Sequence, residues 1–278
     1  FLFLAQENGY FKQLNLNIEL IEMSSLADVQ RVYEQGRAHG MASTMIEAVR
    51  AAGITQKPLS VVLIPDYSNG GDLIIAKDGI RSISDLKGKK IGTEIGSLGM
   101  YILAQALTKY DMDLVDIEII NVEQLDAENA ITNGEIDATV TYPPFSTAIL
   151  KHKGYSEIFN TKELPRDIID TISIDTEYLA SLPSDWLTRF GKAWDMALAF
   201  SNSNKSKAHS IMARREGITE EEFSDALTGL QLLSYAESSD TLKSESIKSN
   251  IKKICRTLDY AKSIEFSCEN ILSLVKTY

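Results

Sequence analysis

Leu4-Ala5-Gln6 and Ile18-Glu19-Leu20-Ile21 recur as Leu103-Ala104-Gln105 and Ile117-Glu118-Ile119-Ile120, both at an offset of 99. With a one-residue deletion the register continues. Val32-Tyr33-Glu34-Gln35-Gly36 lies over Ala130-Ile131-Thr132-Asn133-Gly134, and Met41-Ala42-Ser43-Thr44 over Thr139-Val140-Thr141-Tyr142. Solenoid units run to about 20–50 residues, so a period of this length means two lobes of similar build.

Each copy reads helix, strand, helix, strand, helix. In the second, Leu98, Ile102, Leu103 and Leu107 form one apolar stripe of a helix over 97–109, and the β-branched run 117–122 is a strand. A helix over 126–133 closes at Gly134, suited to the left-handed position after a helix end, before a strand over 136–140. Alternating strands and helices predict mainly parallel sheets with right-handed crossovers, so each lobe is α/β. Ahead of the second copy stands Lys89-Lys90-Ile91-Gly92-Thr93-Glu94-Ile95-Gly96-Ser97, a strand and a Gly-Ser turn into the helix. Its counterpart in the first copy would precede Phe1, which predicts roughly ten further residues ahead of the chain. With no Met and no signal-peptide pattern at Phe1, the chain reads as a processed or trimmed product.

Between the copies, 59–64 is a buried strand, and Asp66-Tyr67-Ser68-Asn69-Gly70-Gly71-Asp72 is a turn-rich loop leading into Leu73-Ile74-Ile75-Ala76. Ser82-Ile83-Ser84-Asp85 has the form of a capping box. After the second copy, 168–174 is an apolar β-branched run, and from Thr176 the pattern is helical to the end. Trp186, Phe190, Trp194 and Leu198 share one helix face and read as core, and a helix over 220–233 follows an N-cap at Thr219. The expected division is 1–75 as the first part of lobe I, 76–171 as lobe II, and 172–278 as the return to lobe I with C-terminal helices that pack on a lobe and carry no site.

The 278 residues hold 28 Lys and Arg against 39 Asp and Glu, a net charge of −11. That balance, without a basic run, argues against nucleic acid and against an anionic membrane surface. No apolar stretch approaches the ~18 residues of a spanning helix, so the chain as given reads as soluble. Cys255 and Cys268 match no zinc spacing, and no metal or cofactor is expected. They read as two unpaired thiols of a helical region, with a single disulfide as the alternative.

In parallel α/β sheets ligands gather at the carboxyl ends of strands, and two facing lobes make those ends a cleft. The ends are 43–44, 66–68, 94–97 and 141–142. Ser97, opening a helix beside Gly96, is either a plain N-cap or a contact for an anionic group. Asp66, in a loop with Ser68 and Asp72, either belongs to a solvated turn or faces the cleft, where its carboxylate accepts hydrogen bonds from an amine or amide. Tyr142 either packs or stacks on a ligand. Glu94 faces Asp66 as a conceivable acid/base partner, but no nucleophile and base can be assembled from His39, His152 and His209, so no catalytic residue is named.

Phe3-Leu4-Ala5-Gln6-Glu7-Asn8-Gly9-Tyr10-Phe11, the strand 16–23, the loop 66–72, Asp85-Leu86-Lys87-Gly88-Lys89 and Gly134-Glu135-Ile136-Asp137-Ala138 with Tyr142-Pro143 together resemble the solute-binding proteins of the nitrate, sulfonate, taurine and thiamine-precursor type, over about residues 1–235. The resemblance implies a type II periplasmic-binding fold, two α/β lobes joined by crossing strands at 72–77 and 168–174. It also implies a periplasmic or extracellular monomer, with or without a membrane anchor, that hands a small molecule to a membrane ABC permease. Its cleft positions fall on Thr44, Asp66, Ser68, Ser97 and Tyr142. The full expected set adds Asp72 and Glu94, and their charge favours a ligand bearing an amine, amide or heterocyclic N–H, possible also as a zwitterion. The sequence beyond about 236 departs from the family. Two other readings are a ligand-sensing ectodomain fused to a signalling domain, and a thiamine-pyrimidine synthase, which would require a cysteine cluster and a reactive histidine.

Overall fold

The computed structural model describes residues 1–277. Lobe I opens with α1 (Leu2–Glu7), α2 (Tyr10–Gln13), α3 (Leu26–Glu34), β1 (Gly40–Thr44), α4 (Met45–Thr55), β2 (Leu59–Leu63) and the short β3 (Asp66–Ser68). Lobe II follows as β4 (Leu73–Lys77), β5 (Lys90–Thr93), α5 (Leu98–Lys109), β6 (Glu118–Asn121), α6 (Gln124–Thr132), β7 (Ala138–Thr141), α7 (Phe145–Leu150) and β8 (Tyr155–Asn160). The chain then returns through β9 (Asp170–Asp175), α8 (Thr176–Ser181), α9 (Trp186–Ser203), α10 (Lys205–Glu216), α11 (Glu220–Thr228), β10 (Leu230–Leu232), α12 (Tyr235–Leu242), α13 (Glu245–Tyr260), α14 (Ile271–Leu274) and β11 (Val275–Thr277).

The lobe II sheet runs β6-β5-β7-β4-β8, and the lobe I sheet β1-β9-β2-β11. Only part of each is parallel. β5 lies parallel to β6 and β7, whereas β4 is antiparallel to β7 and β8, and β9 to β1 and β2. The mixture follows from the crossing: β4 and β9 each enter a sheet from the other lobe and so run against their neighbours. Each lies wholly within one sheet, so the chain crosses just ahead of them, over 69–72 and 161–169, and the positions 75 and 171 fall inside strands. The two crossing stretches meet where Tyr67 bridges Ile169 and the Ser68 N–H donates to the Ile168 carbonyl at 3.0 Å.

Residues 16–23 form neither helix nor strand, contrary to the strand expected there. Their copy in lobe II, β6, is held by β5. No counterpart of β5 exists among the described residues, so nothing offers 16–23 a ladder of N–H and C=O groups. The C-terminal reading also needs correction. The helix after Thr219 ends at Thr228 rather than continuing to 233, and β10 pairs antiparallel with β3. A Cβ at Gly229 would lie 2.7 Å from the Gly71 Cα, so a side chain there would push the pair apart. The described residues end in β11, parallel to β2, where helix was expected.

One apolar core runs through both lobes, joining Met45, Ile46 and Val49 of α4, Tyr101 and Ile102 of α5, and Ile247, Ile251, Ile254 and Leu258 along one face of α13. Trp186 and Trp194 are core as expected, in a second cluster between α9 and the lobe I sheet. The thiols are not free: Cys255 on α13 is bonded to Cys268, ahead of α14. Burial of Cys255 and the short turn between the two bring the sulfurs together, which spacing alone did not decide. Closing a loop of ~15 residues is worth about 3 kcal/mol. The double variant Cys255→Ser/Cys268→Ser should therefore melt roughly 6–12 °C lower in calorimetry, and reductant should shift the parent by a similar amount and leave the variant unmoved.

Candidate functional site

A cavity of about 350 Å³ opens between the lobes beside the crossing stretches. Lobe I contributes Ser43 and Thr44 from the end of β1 and Asp170 and Thr171 from the start of β9. Lobe II contributes Leu98, Tyr142 and Pro143, the end of β3 contributes Ser68, and the crossing stretch Gly71 and Asp72. Ala226 and Leu230 also line it, so the C-terminal hundred residues do carry part of this wall. Of the residues expected from sequence, Thr44, Ser68, Asp72 and Tyr142 line the cavity together. Asp66, Glu94 and Ser97 are buried close by but do not line it.

Each of these three has a partner that explains its place. Asp66 stands behind the wall, hydrogen-bonded to Asp170 as a carboxyl pair. Burial raises the pKa of both, Asp170 well above the ordinary carboxylate range, and Asp66 Oδ1 is buried without a hydrogen-bond partner. Glu94 Oε1 accepts the Gln124 backbone N–H at 3.1 Å and thereby caps α6, while burial raises its pKa. Ser97 does not cap its own helix. Its hydroxyl donates to Glu47 Oε1 at 3.0 Å, across the cleft.

The crossing stretch is tied by Thr161, which is fully buried. Its Oγ1 lies 2.6 Å from Ser68 Oγ and accepts the Gly70 N–H at 2.8 Å. Ser68 also hydrogen-bonds Asp72, yet burial dominates and pushes the Asp72 carboxyl up to about 6, with the Glu47 charge adding to the rise. Tyr142 meets Phe145 edge-on at 5.7 Å and has the Leu26 backbone N–H against its phenol, a second contact from lobe II to lobe I. No Lys or Arg lines the cavity among the described residues.

Sequence reading passed over Glu47, Thr161 and Asp170. Two of these had a signal. Thr44-x-x-Glu47 is a capping box at a strand end, and Asp170 is a charge inside the apolar run Ile168-Ile169-Asp170-Thr171-Ile172, which only a polar partner makes tolerable. Thr161 had none, because its role depends on the return crossing.

Because folding raises the Asp72 pKa, the folded state holds its proton more tightly than the unfolded chain does. The associated stability is present below about pH 4 and is lost as the pH rises through about 6. Asp72→Asn removes that dependence. Its melting temperature, minus that of the parent, should climb between pH 4 and about 7 in thermal scans; a flat difference would mean that Asp72 titrates as an exposed carboxylate.

The family described as NMT1/THI5 like matches residues 1–208. A Brucella abortus protein named as a binding protein is 37% identical over 81 residues, 29% of this chain and 25% of that protein. A 4-amino-5-hydroxymethyl-2-methylpyrimidine phosphate synthase of Aspergillus parasiticus is 27% identical over 175 residues, 63% of this chain and 49% of the synthase. The chain thus spans a quarter to a half of the length of these curated relatives. Among solved structures, the alkanesulfonate-binding protein SsuA of Xanthomonas axonopodis pv. citri superposes with a TM-score of 0.80 at 14% identity, over 100% of this chain and 94% of that one, a likeness of fold. Two α/β lobes, their crossing stretches and the matched length agree: the chain has the periplasmic-binding fold and belongs to the NMT1/THI5-like family.

Proposed function

We propose that the protein is the solute-binding component of an ABC-type importer, and that it captures a small polar molecule bearing an amine, amide or heterocyclic N–H in a cleft that closes on it. The observation that carries this reading is the cavity wall. It presents the carboxyl groups of Asp72 and Asp170, with Asp66 behind, and no cationic side chain among the described residues. Such a wall accepts hydrogen bonds and disfavours a bare anion, unlike what a sulfonate would need. Thr44 and Ser68 add hydroxyls that can donate or accept, and Tyr142 adds a ring face. Contacts from both lobes to one solute would favour the closed form.

The disulfide suits an oxidising compartment, periplasmic or extracellular, where a membrane permease would take over the solute. The named synthases among the relatives make turnover the competing reading. Binding is favoured because His39, His152 and His209 do not line the cavity and both cysteines are joined in the disulfide, so neither a histidine nor a free thiol faces it.

Native mass spectrometry of freshly purified protein tests the solute class: recovery of an amine- or heterocycle-bearing molecule is expected, and recovery of an inorganic oxyanion or a sulfonate would overturn it. With the recovered compound, Asp72→Asn should weaken binding by roughly 10- to 150-fold, as for a hydrogen bond to a charged group worth about 1.5–3 kcal/mol. Tyr142→Ala should weaken it too, and binding within about twofold of the parent for both variants would place the solute elsewhere.

A further inference from the structure

Helices α4 and α5 begin on opposite lobes and direct their first N–H groups into the same space, and one carboxylate serves both. Glu47, in the first turn of α4, is fully buried. Its Oε2 accepts the Thr44 backbone N–H at 3.1 Å and the Thr44 hydroxyl at 2.5 Å, both in its own lobe. Its Oε1 accepts the Ser97 hydroxyl at 3.0 Å and the Leu98 backbone N–H at 2.9 Å, both in the other. Arg50, one turn further along α4, packs its guanidinium over Gly96, where a Cβ would lie 2.8 Å from Nη2. Gly96 also has φ +83°, so both backbone and space require glycine.

The start of a helix is the natural seat for an anionic group, since its unpaired N–H groups and dipole both favour negative charge. Here that seat on α5 adjoins the cavity, which Thr44 and Leu98 both line, and it is filled by the chain's own carboxylate from the facing lobe. A sulfonate, phosphate or carboxylate of a solute would have to displace Glu47 or sit beside its charge.

We propose that Glu47 is a specificity-determining residue: it takes the anion seat at the start of α5 and so restricts the closed cleft to cationic and neutral solutes. The inference rests on the solute-binding reading above and sharpens its ligand class; the anionic end of a zwitterion does not use Ser97 while Glu47 holds it. The probe is methanesulfonate, titrated calorimetrically into the parent, Glu47→Ala and Glu47→Gln, each checked by its melting transition. Glu47→Ala vacates the seat and should bind methanesulfonate at least about tenfold more tightly than the parent. Glu47→Gln keeps the size but loses the charge and, because its NH2 cannot accept from an N–H, the backbone contact on one side, so it should show a smaller gain and serves as the test if the alanine variant does not fold. Folded variants that, like the parent, show no binding of the probe would overturn the role of Glu47 and leave the amine-selective cavity standing. Parent and variants that all bind methanesulfonate tightly would overturn both.

Discussion

A carboxylate removed from water must find donors for its lone pairs, and Glu47 finds them on two lobes at once. Two come from the start of α4 and two from the start of α5, so the same charge settles both helix ends. The arrangement needs the lobes to be together, because Ser97 and Leu98 belong to one and Thr44 to the other. Apolar packing beneath follows the same geometry, with α4, α5 and α13 sharing a single core. The contact between the lobes is thus a joint property of a buried charge and of a hydrophobic contact that runs under it.

The crossing stretches set what the cleft can present. Thr161 fastens the outgoing stretch to the returning one, which fixes Ser68 and Asp72 on one side of the cavity and brings Asp170 to the other. The carboxyls of Asp66, Asp72 and Asp170 are held where water is scarce, and burial raises the proton affinity of all three. Three acids in such a place do not stabilise the fold at neutral pH. Asp72 and Asp170 line the cavity and Asp66 stands behind it, carboxyls held there at a cost to stability.

The C-terminal part adds to the fold in a way its composition hides. β10 lies along β3 and lends Leu230 to the cavity, β11 extends the lobe I sheet, and α13 covers α4 and α5 together. The disulfide then links α13 to the turn before α14, tying the last strand to the helix that spans both lobes. The match to the family ends at residue 208, yet the elements beyond it are structural partners of the matched ones rather than an appendage.

Local rules decided much of this in advance. The repeat predicts two α/β lobes, the 3.6-residue stripes place α5 and α9, and Thr44, Ser68 and Tyr142 are readable as strand-end positions, with Asp72 in the adjoining loop, because a strand's end is a property of nearby residues. What the sequence by itself could not decide are the pairings between distant segments. The 16–23 run has the composition of a strand and forms none, since a strand exists only with a neighbour. Cys255 and Cys268 bond because α13 and the following turn fold back on each other. Ser97 has the look of an N-cap, but a glutamate fifty residues away in the chain takes its hydroxyl and the first N–H of its helix. Hydrogen-bond propensity is local, whereas the partner that satisfies it is chosen by which surfaces the core brings into contact, and only the tertiary structure decides that.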